Sequence, residues 1–211
     1  YNVNSHYVGQ GCDFTIFQPQ LIEQQHPLLD SIKGPIVGYV GLLTSKRLDI
    51  SLLEFLAKAK PEWSLVLVGS EDDDFKKSKL HQMSNVHFLG FQKPESLSEF
   101  IYGFDICINP QVLNQMSIGN YPRKIDEYLA MGKPVVATET DAMEVFRDFV
   151  KLAKTHQDYI ECIESLLDDQ CYDVQNDRIE FARSHTWENS IKAIWQAIIQ
   201  KNNSYSAHLS P

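Results

Sequence analysis

The sequence has little cysteine and no long apolar run, and each shortage excludes a class of protein. Its four cysteines, Cys12, Cys107, Cys162 and Cys171, are far apart and form no Cys-x-x-Cys pair. They therefore predict reduced thiols in a cytoplasmic protein rather than a disulfide framework. The 7 histidines include no His-Glu-x-x-His metal motif. No apolar segment approaches the roughly 20 residues that cross a bilayer.

Positive charge is also scarce, because 19 Lys and Arg residues stand against 28 Asp and Glu residues, for a formal net charge of −9. This balance argues against a general nucleic-acid or anionic-membrane binder. A phosphorylated ligand remains compatible with it, since a few local basic residues suffice. The 211 residues are enough to form a hydrophobic core without staples. The chain begins at Tyr1, and we expect it to be a piece of a longer protein.

The pattern of apolar residues changes at residue 34. Residues 1–33 are irregular and polar, and they predict a linker with a short helical stretch near 21–31. From residue 34 to 200, short β-branched runs alternate with amphipathic ones, which predicts a doubly wound, Rossmann-like α/β domain. We expect about six parallel strands, at 36–40, 65–68, 86–89, 105–109, 135–138 and 149–153, with helices on both faces and three C-terminal helices. Residues 201–211 are predicted to be a flexible tail.

Parallel sheets of this kind bind ligands at the carboxyl ends of their strands. The loop after the first predicted strand contains Gly41, which allows close approach of a ligand to the backbone, followed by Lys46 and Arg47. If Thr44 or Ser45 caps the next helix, a diphosphate could sit on its N-terminus beside these cations. An ordinary turn with solvated basic residues fits the same pattern.

A second candidate anion site follows the fourth predicted strand. Pro122 suits a first helical turn, and Arg123 and Lys124 stand beside the free N–H groups expected there. Glu127 lies one turn further on, where it could accept hydrogen bonds from sugar hydroxyls. Its alternative role is that of an acidic residue favoured by the helix dipole.

Two other groups of residues have simpler interpretations. The Asp run at 72–74 either holds a divalent metal beside a diphosphate or, more ordinarily, caps the next helix. The three tryptophans, Trp63, Trp187 and Trp195, are predicted to be packing residues.

Several segments occur in an order that is characteristic of one enzyme family. They are V-G-Q-G-C-D at residues 8–13, V-G-L-L-T-S-K-R at 40–47, V-L-V-G at 66–69, V-H-F-L-G at 86–90, and P-R-K-I-D-E-Y-L-A-M-G-K-P-V-V-A-T at 122–138. Together they resemble the C-terminal, donor-binding domain of the GT-B-fold glycosyltransferases, in particular the retaining family 4. The resemblance covers residues 7–200.

The resemblance implies a site for a nucleotide-diphosphate sugar, of UDP or GDP type, which is a substrate rather than a cofactor. Arg47 would hold the diphosphate and stabilise the charge of the leaving nucleotide, with Lys46 as a second cation. Glu127 would bind the ribose hydroxyls. The other donor-binding residues implied are Gly41, Gly69, Gly119, Arg123 and Lys124. No metal and no other cofactor are implied.

Two positions depart from the family pattern. Gly119 stands where the first acid of the E-x7-E motif is expected, and Leu42 stands where an arginine usually follows the loop glycine. Either this branch holds its donor differently or its activity is reduced or absent.

The resemblance also implies that the full-length enzyme transfers the sugar to a saccharide or lipid-linked acceptor, as in polysaccharide biosynthesis. An N-terminal acceptor domain is absent from this sequence, so we expect the chain alone to be inactive. We expect a cytoplasmic location, at the inner face of the membrane in the full-length protein. Two alternative functions are a nucleotide-sugar epimerase of the same fold and a degenerate, non-catalytic interaction domain.

Overall fold

The computed structural model describes residues 5, 6, 8, 10–168 and 173–208, without the side chains of 173 and 201–208. Within this part of the chain, six parallel strands form a sheet in the order β3-β2-β1-β4-β5-β6. The strands are β1 Ile36–Val40, β2 Ser64–Val68, β3 Val86–Phe88, β4 Ile106–Asn109, β5 Val135–Thr138 and β6 Lys151–Ala153. The predicted doubly wound α/β fold is confirmed.

The helices connect these strands and extend beyond the last of them. They are α1 Ile50–Ala59, α2 Asp73–Lys77, α3 Leu97–Gly103, α4 Arg123–Ala130, α5 His156–Asp168, α6 Asp173–Ser184 and α7 Trp187–His208. Helix α7 continues eight residues past its predicted end at residue 200, into the segment expected to be a tail. Gly9, Cys171 and residues 209–211, which also figure in the predictions, lie outside the described residues.

Two helical predictions are wrong in detail. The stretch at 21–31 contains two short 3₁₀ turns, Pro19–Leu21 and Pro27–Leu29, in place of one helix. Pro27 cannot continue a helix from the preceding residues, because it lacks an N–H group. The sequence of residues 74–82 also predicts a helix, but the structure divides this stretch into α2 and a 3₁₀ turn at Lys79–Gln82, with Ser78 in an extended conformation between them.

The hydrophobic core lies on both faces of the sheet, as the uniformly apolar strands predicted. Successive residues of β2 point to opposite faces, so Val66 and Val68 pack with the cluster around α3 and α4. Leu65 and Leu67 pack with the cluster around α1 and α5. Every residue of β1, β2, β4 and β5 is buried.

The strand order reverses direction between β1 and β4. The chain moves from β1 outwards to β2 and β3, and then returns to place β4 on the other side of β1. The connections that leave β1 and β4 therefore diverge to opposite faces, which opens a crevice at the carboxyl ends of these two strands. Helix α4 is fixed at this point, because the buried Tyr128 hydroxyl accepts a hydrogen bond from the Val40 N–H at 2.9 Å.

Candidate functional site at the end of strands β1 and β4

A cavity of about 570 Å³ lies at the carboxyl end of β1. Its wall is formed by residues of the segment 10–17, the end of β1, the loops that follow β1 and β4, the start of α4, and Trp187. Five of the residues predicted for the site line it, namely Gly41, Arg47, Arg123, Lys124 and Glu127. The structure thus brings together the two candidate anion sites that the sequence contains.

Backbone packing determines the first wall of the cavity. Gly69, at the end of β2, has φ +152°, and a Cβ atom on it would lie 1.9 Å from the Gly41 carbonyl oxygen. The Gly41 N–H also donates to the Val68 carbonyl at 2.9 Å. Gly69 therefore has a steric role in the sheet, and its role in donor binding stays a prediction.

The expected cap of the helix after β1 is wrong. Helix α1 begins only at Ile50, and Asp49 is its N-cap, accepting from the Leu52 N–H at 3.0 Å. A carboxylate already occupies this helix N-terminus, so a diphosphate has no place on it. Lys46 is exposed and does not line the cavity, whereas Arg47 does.

The acidic run at 72–74 acts mainly as a cap. Asp72 accepts hydrogen bonds from the Phe75 N–H at 2.9 Å and from the Ser45 N–H at 2.8 Å. Burial alone would raise the pKa of Asp72, but these hydrogen bonds lower it to about 2. Among the described residues, no group of three or more His, Cys, Asp or Glu side chains could hold a metal ion.

Two cations in the cavity wall have no acidic partner. In the part of the chain that the structure describes, no carboxylate forms an ion pair with Arg47 or Lys124. The Lys124 ammonium lies 5.0 Å from the centre of the Tyr39 ring, a cation–π contact with a neutral side chain. The first N–H groups of α4 lie beside them, and no side chain caps this helix within the described residues. The wall is therefore suited to an anion.

Glu127 adds a carboxylate at the edge of this cationic region. Its side chain is 14 % exposed, and the Arg123 Nε donates to its Oε1 at 3.1 Å. Burial raises the pKa of Glu127 above its usual value, although Arg123 and Lys124 oppose this effect. A partly desolvated carboxylate gains most from additional hydrogen-bond donors, such as hydroxyl groups.

Gly119 lies apart from these groups. It is exposed, it does not line the cavity, and a Cβ atom built on it would meet no other atom within 4 Å. The space that an acidic side chain would need at this position is open.

Some residues of the cavity wall escaped the sequence interpretation. Tyr121 lines the cavity, and its hydroxyl donates to Asp126 Oδ2 at 2.7 Å. His185 Nδ1 lies 3.1 Å from the other oxygen of Asp126, and the His185 carbonyl accepts from the Cys12 N–H at 2.8 Å. Burial raises the pKa of Asp126 against the opposing effect of His185. This chain of contacts joins the segment 10–17 to the start of α4.

The prediction for the tryptophans is correct only in part. Trp63 is buried in the core, whereas Trp187 and Trp195 are 47 % and 60 % exposed. Trp187 lines the cavity together with Gly11, and the two pack so closely that a Cβ on Gly11 would lie 2.3 Å from the Trp187 backbone nitrogen. The sequence did contain a signal for this wall of the cavity, since a linker with glycine residues and a tryptophan at the start of a predicted helix both occur in it.

Comparison with known proteins agrees with this geometry. Residues 34–169 match the family described as "Glycosyl transferases group 1". The chain belongs to this family. TuaH of Bacillus subtilis (strain 168), whose name assigns it provisionally as a teichuronic acid biosynthesis glycosyltransferase, is 28 % identical over 135 residues, covering 63 % of this chain and 34 % of TuaH. The chain thus spans about a third of this group 1 relative, and its membership of family 4 stays a prediction.

Solved structures share the fold of this group 1 domain. Sucrose-phosphate synthase from Thermosynechococcus elongatus has a TM-score of 0.70 at 18 % identity, over 93 % of this chain and 52 % of that protein. Anabaena HepE, in complex with UDP and glucose, has a TM-score of 0.69 at 20 % identity, over 92 % of this chain and 55 % of HepE. The chain therefore covers about half of each, and these likenesses establish the architecture.

Among the described residues, no helix is both long and apolar enough to cross a membrane.

Proposed function

We propose that this chain is the donor-binding domain of a glycosyltransferase and that the cavity at the end of β1 and β4 holds a nucleotide-diphosphate sugar. The observation that carries the proposal is the position of two unpaired cations, Arg47 and Lys124, beside the uncapped start of α4 at the reversal point of the sheet. Anions bind at such helix termini, and nucleotides at such reversal points.

Each charged residue has a role in this proposal. Arg47 and Lys124 bind the diphosphate, and Arg47 stabilises the negative charge that develops as the nucleotide leaves. Glu127 accepts hydrogen bonds from ribose hydroxyls, while Arg123 holds its carboxylate in place at 3.1 Å. No metal is required in this scheme, because basic residues and the helix dipole supply the positive charge.

The relatives support a uridine nucleotide and a saccharide product. HepE was solved with UDP-glucose as well as with UDP and glucose, and the name of TuaH refers to teichuronic acid biosynthesis. We propose that the full-length protein transfers a sugar from UDP-sugar to a saccharide or lipid-linked acceptor, on the cytoplasmic side of the membrane. The acceptor would be held by a part of the protein outside this chain.

Thermal unfolding of the intact protein with millimolar UDP, GDP, ADP or CMP tests the donor site. A ligand at 100 times its dissociation constant stabilises the folded state by about 2.7 kcal/mol. For a domain of this size, that corresponds to a rise in Tm of about 5–10 °C. We expect UDP to produce this rise, and Arg47→Ala and Glu127→Ala to abolish most of it.

Two matched variants control for the loss of a charge. Arg147 and Glu144 form an exposed ion pair, with 2.6 Å between their side chains, and neither residue lines the cavity. Arg147→Ala and Glu144→Ala should therefore both keep the full rise in Tm. If no nucleotide raises Tm in the intact protein, the domain binds no donor and the proposal is wrong. If a nucleotide does bind, analysis of the reaction product of the intact protein distinguishes the two enzyme classes. A transferase forms a glycosidic bond, whereas an epimerase forms an isomerised nucleotide sugar.

A further inference from the structure

A second, smaller cavity of about 60 Å³ lies next to the first one. The two share Arg47, Asn120 and Lys124 in their walls, so they are neighbouring spaces at the same edge of the sheet. Asn109, the last residue of β4, and Gln111 line only the smaller cavity. The volume of this smaller cavity is enough for a small polar substituent of a ligand that is bound in the larger cavity.

Asn109 is a polar residue at the end of a buried strand. It is 0 % exposed, and neither its side-chain nitrogen nor its side-chain oxygen has a hydrogen-bond partner within the described structure. Gln111 is 6 % exposed, and its Oε1 is likewise unpartnered. An unpaired buried amide destabilises a fold, so its presence in a wall of the site calls for a partner that comes from outside the chain.

The backbone of this segment gives no reason for an amide side chain. The Asn109 carbonyl accepts hydrogen bonds from the Tyr159 hydroxyl at 2.9 Å and from the Gln111 N–H at 3.0 Å. These bonds would form with any residue at position 109. By contrast, the Asn85 side chain donates to three backbone carbonyls, of Ala57, Lys60 and Trp63. Asn85 is therefore an amide that holds the fold together, and Asn109 is not.

The unpaired atoms define the chemistry of the missing partner. An amide oxygen needs a hydrogen from its partner, which an ionised phosphate or carboxylate cannot provide. An amide nitrogen needs an acceptor. A hydroxyl group satisfies both requirements, and since both atoms of Asn109 are unpaired, the conclusion is the same whichever way the amide is turned.

We infer that the amides of Asn109 and Gln111 bind a hydroxyl group of the donor's sugar. The inference rests on the proposed function. The proposal places the diphosphate between Arg47 and Lys124 and the ribose at Glu127, which lines only the larger cavity. The sugar is then the remaining hydroxyl-bearing part of the donor beside the shared walls. Asn109 and Gln111 thus select for the sugar, while the cations bind the nucleotide.

Replacement of the amide by an apolar side chain of similar size tests this division of roles. Calorimetric titration of the intact Asn109→Leu protein would use UDP and UDP-glucose, and GDP and GDP-mannose, as matched pairs. For whichever nucleoside diphosphate binds, UDP or GDP, we expect the Kd of the variant to differ from that of the wild type by less than twofold. The Kd of its nucleotide sugar should rise about 5- to 20-fold, the value of one or two lost hydrogen bonds.

The stability of the two asparagine variants provides the control. Asn109→Leu removes an unpaired polar group and should leave the midpoint of urea unfolding unchanged or raise it. Asn85→Leu makes the same chemical change where three bonds are lost, so it should lower the midpoint without separating the two Kd values. If Asn109→Leu does not fold, Gln111→Met, which replaces the whole amide by a thioether of similar length, should still weaken binding of the nucleotide sugar selectively.

The outcomes separate the inference from the proposed function. If the wild-type protein binds a nucleoside diphosphate but the variants weaken both ligands equally, or neither, then the amides serve the fold or bound water and the inference is wrong. If the wild-type protein binds no nucleoside diphosphate and no nucleotide sugar, the proposed function fails and this inference fails with it.

Discussion

The two loops that border the cavity are held in place by different means. The loop after β1 is held chiefly by a close backbone contact between Gly41 and Gly69, and one side chain, Asp72, accepts from its Ser45 N–H. Its Leu43 is completely buried. The loop after β4 is held by side chains, since the Ser117 and Asn114 side chains bond to neighbouring backbone groups. Its apolar residues Leu113, Met116 and Ile118 are exposed.

The shape of the first loop is therefore determined by steric contacts, whereas the side chains of the second loop can change. Close backbone packing tolerates almost no added atom, so the first loop has a single shape. The second loop exposes several of its residues, so it can accept substitutions at those positions without loss of the sheet. The first loop therefore suits the diphosphate, which is common to nucleotide sugars, and the second suits the sugar, which varies.

Gly69→Ala should produce the largest effect and would break the first loop. The new Cβ would lie 1.9 Å from the Gly41 carbonyl oxygen, which forces β1 and β2 apart at their carboxyl ends. We expect the free energy of unfolding in urea to fall by about 3 kcal/mol. A loss of under 1 kcal/mol would show that the two loops do not differ in the way described.

Gly90→Ala is the matched control for this variant. Gly90 also has a positive φ, of +65°, but its Cβ would meet nothing within 4 Å. Only the backbone strain should remain, at about 1–2 kcal/mol. The difference between the two variants measures the contact between Gly41 and Gly69.

The pH dependence of stability should have opposite signs on the two sides of the cavity. Asp72 accepts from the N–H of Ser45 in the first loop, and its pKa is lowered to about 2. Asp126 accepts from Tyr121 at the end of the second loop, and its pKa is raised, chiefly by burial. Titration of each carboxylate therefore reports on its own loop.

The signs follow from proton linkage. The stability that ionised Asp72 provides is present above its unfolded pKa, about 3.9, and is lost as the pH falls towards 2. For Asp126 the folded state holds the proton more tightly, so its contribution falls as the pH rises from about 3.9 through its raised pKa. His185 and Tyr121 face this carboxyl.

Urea unfolding at a series of pH values, with Asp72→Asn and Asp126→Asn, measures these contributions. The difference between wild type and variant should increase with pH for Asp72 and decrease with pH for Asp126. Two differences of the same sign would contradict the opposite environments of the two carboxylates.

The sequence predicts the strands that border the cavity better than the connections between them, for a physical reason. The strands and the Gly41–Arg47 turn follow from apolar runs and glycines, which are local signals. The helix cap lies at Asp49, and not at Thr44 or Ser45, directly after a residue, Leu48, that pairs with Gln111 in the loop after β4. Such a contact joins residues distant in sequence, and no local pattern encodes it.

The candidate site shows the same limit. The charged residues Arg47, Lys124 and Glu127 could be selected from sequence because parallel strands place their loops at one edge. Asn109 could not, since its importance lies in the lack of a partner, which only the folded structure reveals. Its one visible signal was a polar residue at the end of a strand that is otherwise apolar.

Substitution of Gly119, in the loop after β4, should produce the smallest effect on stability. It tests whether this loop tolerates the change that the loop after β1 does not. Neither steric contact nor a positive φ restrains this residue, because its Cβ would meet no atom within 4 Å. Gly119→Ala should therefore leave the free energy of unfolding unchanged or raise it by up to about 1 kcal/mol, through the lower entropy of the unfolded chain. Gly119→Glu should be tolerated within about 0.5 kcal/mol, as for other exposed positions.

If both variants fold normally, the absence of an acid here is not imposed by the fold, and the loop after β4 is the part of the site where the chemistry of sugar recognition has been free to change. A loss of more than 2 kcal/mol in Gly119→Ala would instead show that this loop, like the first, is determined by its shape.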